Sequence, residues 1–137
     1  AMERLHCVTA DGSLYFSRDP FTKQEEIYVS RWGENGFTKP EKLGKSYNSE
    51  MYEVIIMMEP NAKFMLIGQI DIQHNKPTLV ISFRKADGSW TDRISLPYHC
   101  GGFLALSPDG KYLFLENEGI QWVSTWFVEE LRPKGIK

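Results

Sequence analysis

Two histidine–cysteine dipeptides, His6-Cys7 and His99-Cys100, carry the residue types best suited to metal binding or nucleophilic chemistry. Together they could offer two sulfurs and two nitrogens, a set that zinc accepts in tetrahedral geometry. Their spacing fits no zinc signature, and successive residues on a strand point to opposite faces, which divides each dipeptide. A Cys7–Cys100 disulfide would have to join two separate repeats in a chain whose start shows no export signal. Small buried thiols are the plainer reading. Close carboxylates include Glu25-Glu26, Glu50 and Glu53. Strand alternation separates Glu25 from Glu26, and carboxylates without a burial argument are usually solvated. No Gly-x-Ser-x-Gly elbow, phosphate loop, dinucleotide fingerprint or His-Glu-x-x-His motif occurs. No catalytic residue, metal ligand or cofactor is therefore assigned.

The composition says what kind of scaffold must position these residues. The chain has 137 residues, 42% hydrophobic and 25% charged, which is the balance of one folded domain. The net charge is −2 and the Lys and Arg residues are scattered, so no basic stripe points to nucleic acid. No apolar run approaches the roughly 18 residues of a membrane-spanning helix. Aromatic residues reach 13%, beside 11 Gly and 7 Pro, a combination that favours short strands and tight turns. Ala1 before Met2 reads as a cloning remnant. Met2 is then either a native start, implying the cytoplasm, or the edge of a fragment from a longer exported protein.

Strands are predicted at Leu14–Arg18, Ile27–Trp32, Phe37–Leu43, Val54–Met58, Phe64–Gly68, Leu79–Arg84, Trp90–Leu96, Phe103–Leu106, Tyr112–Leu115 and Gln121–Trp126. Only Val128–Arg132 reads as helix, stopped by Pro133. The runs repeat. Asp11-Gly12 before Leu14-Tyr15-Phe16 returns as Asp109-Gly110 before Tyr112-Leu113-Phe114, with Asn61-Ala62 before Phe64-Met65-Leu66 between them. Ile27–Arg31 returns as Leu79–Arg84, and Gly36-Phe37-Thr38 as Gly88-Ser89-Trp90-Thr91. The period is roughly 50 residues, in the range of propeller blades. The stretch Ala10–Ser17, then Glu26–Arg31, Gly36–Gly44 and Tyr47–Glu50, resembles the WD-like repeat of TolB-type bacterial β-propellers. Ser107–Phe114 is similar to that family's most recognisable stretch. The resemblance implies an all-β fold, a partial β-propeller of three antiparallel blades over about 5–48, 49–98 and 99–132. These form one domain, 2–132, followed by a tail at 133–137.

Closed rings of this family usually have about six blades, so three leave two blade faces open. The expectation is a homodimer that closes one six-bladed ring, as two-fold symmetry is the commonest oligomeric solution. The alternative is a structural fragment of a longer propeller. Glu3–Cys7 or the residues after Pro133 are candidates to supply a missing edge strand across the interface. Within a blade, the tight turns at Asp11-Gly12, Gly33–Gly36, Asp87-Gly88 and Asp109-Gly110 fall at one end, and longer loops at the other. A binding site is expected at the long-loop end, at Tyr47, Asn48, Glu50, Tyr52, His74 and His99. The function expected is a non-enzymatic binding module for a protein or small polar ligand. The alternative is a carbohydrate-active lyase or hydrolase, by analogy with other six-bladed propellers.

Overall fold

The computed structural model describes residues 3–18, 26–43, 52–71, 74, 76–99, 104–116 and 118–136. Strands β1 (Glu3–Val8), β2 (Leu14–Arg18) and β3 (Glu26–Ser30) form the first sheet with β6 (Glu41–Lys42). A small hairpin of β4 (Trp32–Gly33) and β5 (Gly36–Phe37) stands apart between β3 and β6. The second sheet is β7 (Tyr52–Met58), β8 (Phe64–Asp71), β9 (Lys76–Phe83) and β10 (Ile94–Leu96). The third is β11 (Leu104–Leu106), β12 (Tyr112–Glu116) and β13 (Ile120–Ser124), followed by the helix α1 (Trp126–Leu131). Among the described residues every pairing is antiparallel and none of the sheets closes on itself. The fold is all-β.

Several predicted strands are cut where the backbone cannot stay paired. Phe37–Leu43 divides into β5 and β6 around Pro40, which has no N–H for a ladder. Within Trp90–Leu96, Trp90 makes only an isolated bridge to Arg84 and pairing resumes at Ile94. Gln121–Trp126 ends early because α1 begins at Trp126. Glu3–Val8, one candidate for the missing edge strand, is β1 at the end of the first sheet, paired on one side with β2.

The middle sheet is sandwiched. Phe64, Leu66, Leu79, Ile81 and Phe83 point to one face and share a core with Leu104, Leu113, Leu115 and α1 residues Phe127 and Val128. Met58, Met65, Ile67 and Val80 point to the opposite face and share a second core with Tyr15, Ile27 and Val29 of the first sheet. Both sets follow the period-2 alternation through the register Met65↔Ser82 and Leu66↔Ile81. Because both faces are buried, β8 and β9 are nearly continuous apolar runs. The sheets approach most closely at their first strands, β1 beside β7 and β7 beside β11. Ala10 N–H donates to Pro60 O at 2.7 Å, fastening the first turn of one sheet to that of the next.

One local device recurs. Ser30 Oγ donates to Thr38 O at 2.6 Å while Arg31 N–H donates to Thr38 Oγ1 at 2.9 Å. In the second sheet Ser82 Oγ donates to Thr91 O at 2.6 Å and Phe83 N–H donates to Thr91 Oγ1 at 2.9 Å. These bonds fasten each third strand to the segment after its hairpin. They also satisfy Ser30 and Ser82, two of the few buried polar side chains.

Candidate functional site

The acidic turn residues are committed to structure. Asp11 accepts from Thr9 Oγ1 at 2.7 Å and from Ser13 N–H at 3.0 Å. Asp109 accepts from Ser107 Oγ at 2.6 Å and Lys111 N–H at 3.0 Å. Asp87 does the same with the hydroxyl and N–H of Ser89. These donors hold all three carboxyls below the ordinary Asp range, as ionised turn caps. In the second sheet Glu59 takes the part, accepting from Asn61 N–H and Lys63 N–H, both at 3.0 Å.

His6 and Cys7 lie on β1, where the register slips between Leu5↔Phe16 and Cys7↔Tyr15. This bulge at His6 overrides the simple alternation of the dipeptide. Burial, reinforced by the nearby Arg4 charge, lowers the His6 pKa to about 4, so the ring is neutral at pH 7. Its Nε2 is buried without a hydrogen-bond partner among the described residues. Burial raises the Cys7 thiol to about 11, against a hydrogen bond with the Met58 backbone. A thiol held protonated is a poor nucleophile and a poor metal ligand. Cys7 is free, and Cys100 lies outside the described residues. Among the described residues no three His, Cys, Asp or Glu side chains gather as a metal site.

Of the six residues expected at the long-loop end, Tyr47, Asn48 and Glu50 lie outside the described residues. Tyr52 opens β7 opposite Ile70, and Ile70 is opposite Pro77. His99 is exposed, with Nδ1 3.1 Å from Pro77 O. His74 is exposed in the β8–β9 connection at that same end of the middle sheet. Close by, the Arg93 guanidinium donates to Oε1 of the buried Gln69 at 2.8 Å.

A cavity of about 360 Å³ opens at the opposite end of the middle sheet, beside its tight turns. Asn61, Lys63, Arg84, Lys85, Gly135 and Ile136 contribute to its walls. The pairing Phe64↔Phe83 explains the gathering of cations: the residues just beyond it, Lys63 and Arg84, must be neighbours, and Arg84 N–H donates to Lys63 O at 2.9 Å. No linear motif announces this, although a cation at each end of two paired strands was a usable signal. Comparison with family models, curated proteins and solved structures finds no significant match.

Among the described residues, exposed apolar side chains gather on the two outer faces of the stack, beside the separate Trp32–Phe37 pair of the small hairpin. On the first sheet, Leu5 (59% exposed) and Val8 (53%) lie across from Phe16 and Leu14, and Phe16 stacks on Tyr28 at 5.9 Å. On the third sheet, Ile120 (76% exposed) and Trp122 (65%) share a face with Phe114 and Tyr112. The Tyr112 and Trp122 rings meet edge to face at 5.3 Å. No helix among the described residues is long and apolar enough to cross a membrane.

Proposed function

We propose that the chain is a non-enzymatic binding module on a partial β-propeller of the TolB-like, WD-like-repeat kind, three blades that reach a closed ring of six by self-association. The observation that carries this reading is the pair of uncovered aromatic faces at the two ends of the stack. The middle sheet has both faces packed, whereas each outer sheet has one face packed and one left apolar and open. A contiguous patch of that kind marks an interaction site on a soluble protein. The three-sheet stack supplies a rigid frame on which end-loops display polar groups, His74 and His99 at one end and the Lys63–Arg84–Lys85 cavity at the other. For a small polar ligand, the three cations in that cavity favour an anion.

Sedimentation equilibrium over a range of concentrations tests the assembly. A species of twice the 15.8 kDa chain mass is expected. A monomer that persists at high concentration contradicts the ring, and with it the scaffold on which this function rests.

A further inference from the structure

The three sheets are stacked with one polarity, and that polarity fixes how a second copy docks. The turns show which residues correspond. Ser107 N–H donates to Tyr112 O, and Glu59 N–H donates to Phe64 O, both at 2.9 Å. In the first sheet the matching bond runs from Thr9 N–H to Ser13 O at 3.0 Å. That turn is one residue shorter, so Ser13, not Leu14, corresponds to Phe64 and Tyr112. Leu14 and Phe16 therefore match Met65 and Ile67, and match Leu113 and Leu115. Tyr15 matches Leu66 and Phe114. The strand registers extend this across each sheet: Tyr15↔Val29, Leu66↔Ile81 and Phe114↔Trp122 are equivalent pairs.

With this alignment each sheet has a back face and a front face, and both internal contacts are front to back. The front of the first sheet (Tyr15, Val29) packs on the back of the second (Met65, Ile67, Val80). The front of the second (Leu66, Ile81) packs on the back of the third (Leu113, Leu115, with Val123 partly buried). The two open faces are thus of opposite kinds. Leu14, Phe16 and Tyr28, with Leu5 and Val8, form an unused back. Phe114 and Trp122, with Tyr112 and Ile120, form an unused front.

We infer that the chain dimerises head to tail, the front of each copy's third sheet seating on the back of its partner's first sheet, so that a two-fold axis relates two identical contacts. This rests on the self-association proposed above and specifies its geometry. The alternative of like faces meeting across the axis would set front on front or back on back, a contact the chain makes nowhere within itself. Two front-to-back contacts leave no apolar face open, as closed symmetry requires. Arg18, at the β2–β3 end of the unused back, is held in place by an ion pair with Glu3 at 2.9 Å. Arg18 sits over the Tyr28 ring at 4.6 Å, within the apolar patch it rims. The aromatic side chains on both faces are of the type that dominates interface cores.

Two single variants and their mixture test the geometry. Leu5→Asp places a charge on the back and Trp122→Asp places one on the front, both at exposed positions that folding does not need. Each variant alone is expected at the monomer mass, because every contact it can form contains one altered face. An equimolar mixture at high concentration is expected to recover a species of twice the chain mass. In it, the unaltered back of the Trp122→Asp chain meets the unaltered front of the Leu5→Asp chain, leaving the two altered faces opposite one another. Far-ultraviolet circular dichroism checks that each variant is folded, with Val8→Asp and Ile120→Asp as replacements if either is not. Dimerisation retained by one variant, or a mixture that stays monomeric beside a dimeric wild type, overturns the head-to-tail geometry and the closed ring, and leaves self-association standing. A monomeric wild type overturns the self-association beneath it, and a species larger than two chains overturns the two-fold closure.

Discussion

His6 makes stability depend on pH in a window that the turn carboxylates do not share. Burial, helped by Arg4, puts its folded-state pKa at about 4, against 6.5 for the free side chain. The unfolded chain therefore binds the proton first. Stability is complete above pH 6.5 and is lost as the pH falls toward 4, by at most about 3 kcal/mol at ~1.36 kcal/mol per pH unit between the two pKa values. By pH 5 about 2 kcal/mol of this is already gone. The caps Asp11, Asp87 and Asp109 have lowered pKa values, so their own contributions fade only at lower pH. Urea denaturation of the wild type and of His6→Leu, at about pH 7.5 and about pH 5, isolates the effect. The wild type should lose about 2 kcal/mol more than the variant over that interval. Equal losses in the two proteins would refute the buried, neutral imidazole.

Three further outcomes follow from the packing. Ser82→Ala removes the 2.6 Å bond to Thr91 O from a fully buried position and should cost about 1 to 3 kcal/mol, seen as a lower urea midpoint with unchanged slope. Gly110→Ala, at φ 73° in open space, should cost about 1 kcal/mol. Gly12→Ala should cost more, since its φ is 83° and the new Cβ would lie 3.1 Å from Trp32 Cβ; equal thermal shifts would remove the Trp32 contact from the account. Leu66→Ala, at the centre of the core shared by the second and third sheets, should cost about 2 to 5 kcal/mol in the same denaturation assay.

Much of the architecture was legible because the local signals agree. β2 has the bounds its alternation and the Asp11-Gly12 turn predict, β8 contains its predicted run and extends to Asp71, and β9 begins earlier than predicted, at Lys76, and ends one residue short of it, at Phe83. The facing of the first sheet was not legible. A gapless match sets Leu14 against Tyr112, whereas the hydrogen bonds of the turn set Ser13 there, and one residue exchanges the two faces of a strand. The bulge at His6 adds a second slip that no motif marks. Lys63 and Arg84 are far apart in sequence, and only the β8–β9 register brings them to one cavity. Of the expected site, the placement of Tyr52, His74 and His99 near one end of the middle sheet follows from strand connectivity, which the sequence does carry.

The central claim is that the open back of the first sheet and the open front of the third cover one another between copies. Intermolecular nuclear Overhauser effects in a sample mixed from isotopically labelled and unlabelled chains test it most directly. The account predicts contacts from the Leu5 and Val8 methyls of one copy to the Trp122 and Tyr112 rings of the other. Contacts between Leu5 and Leu5, or between Trp122 and Trp122, or no intermolecular contact on either face, would contradict it.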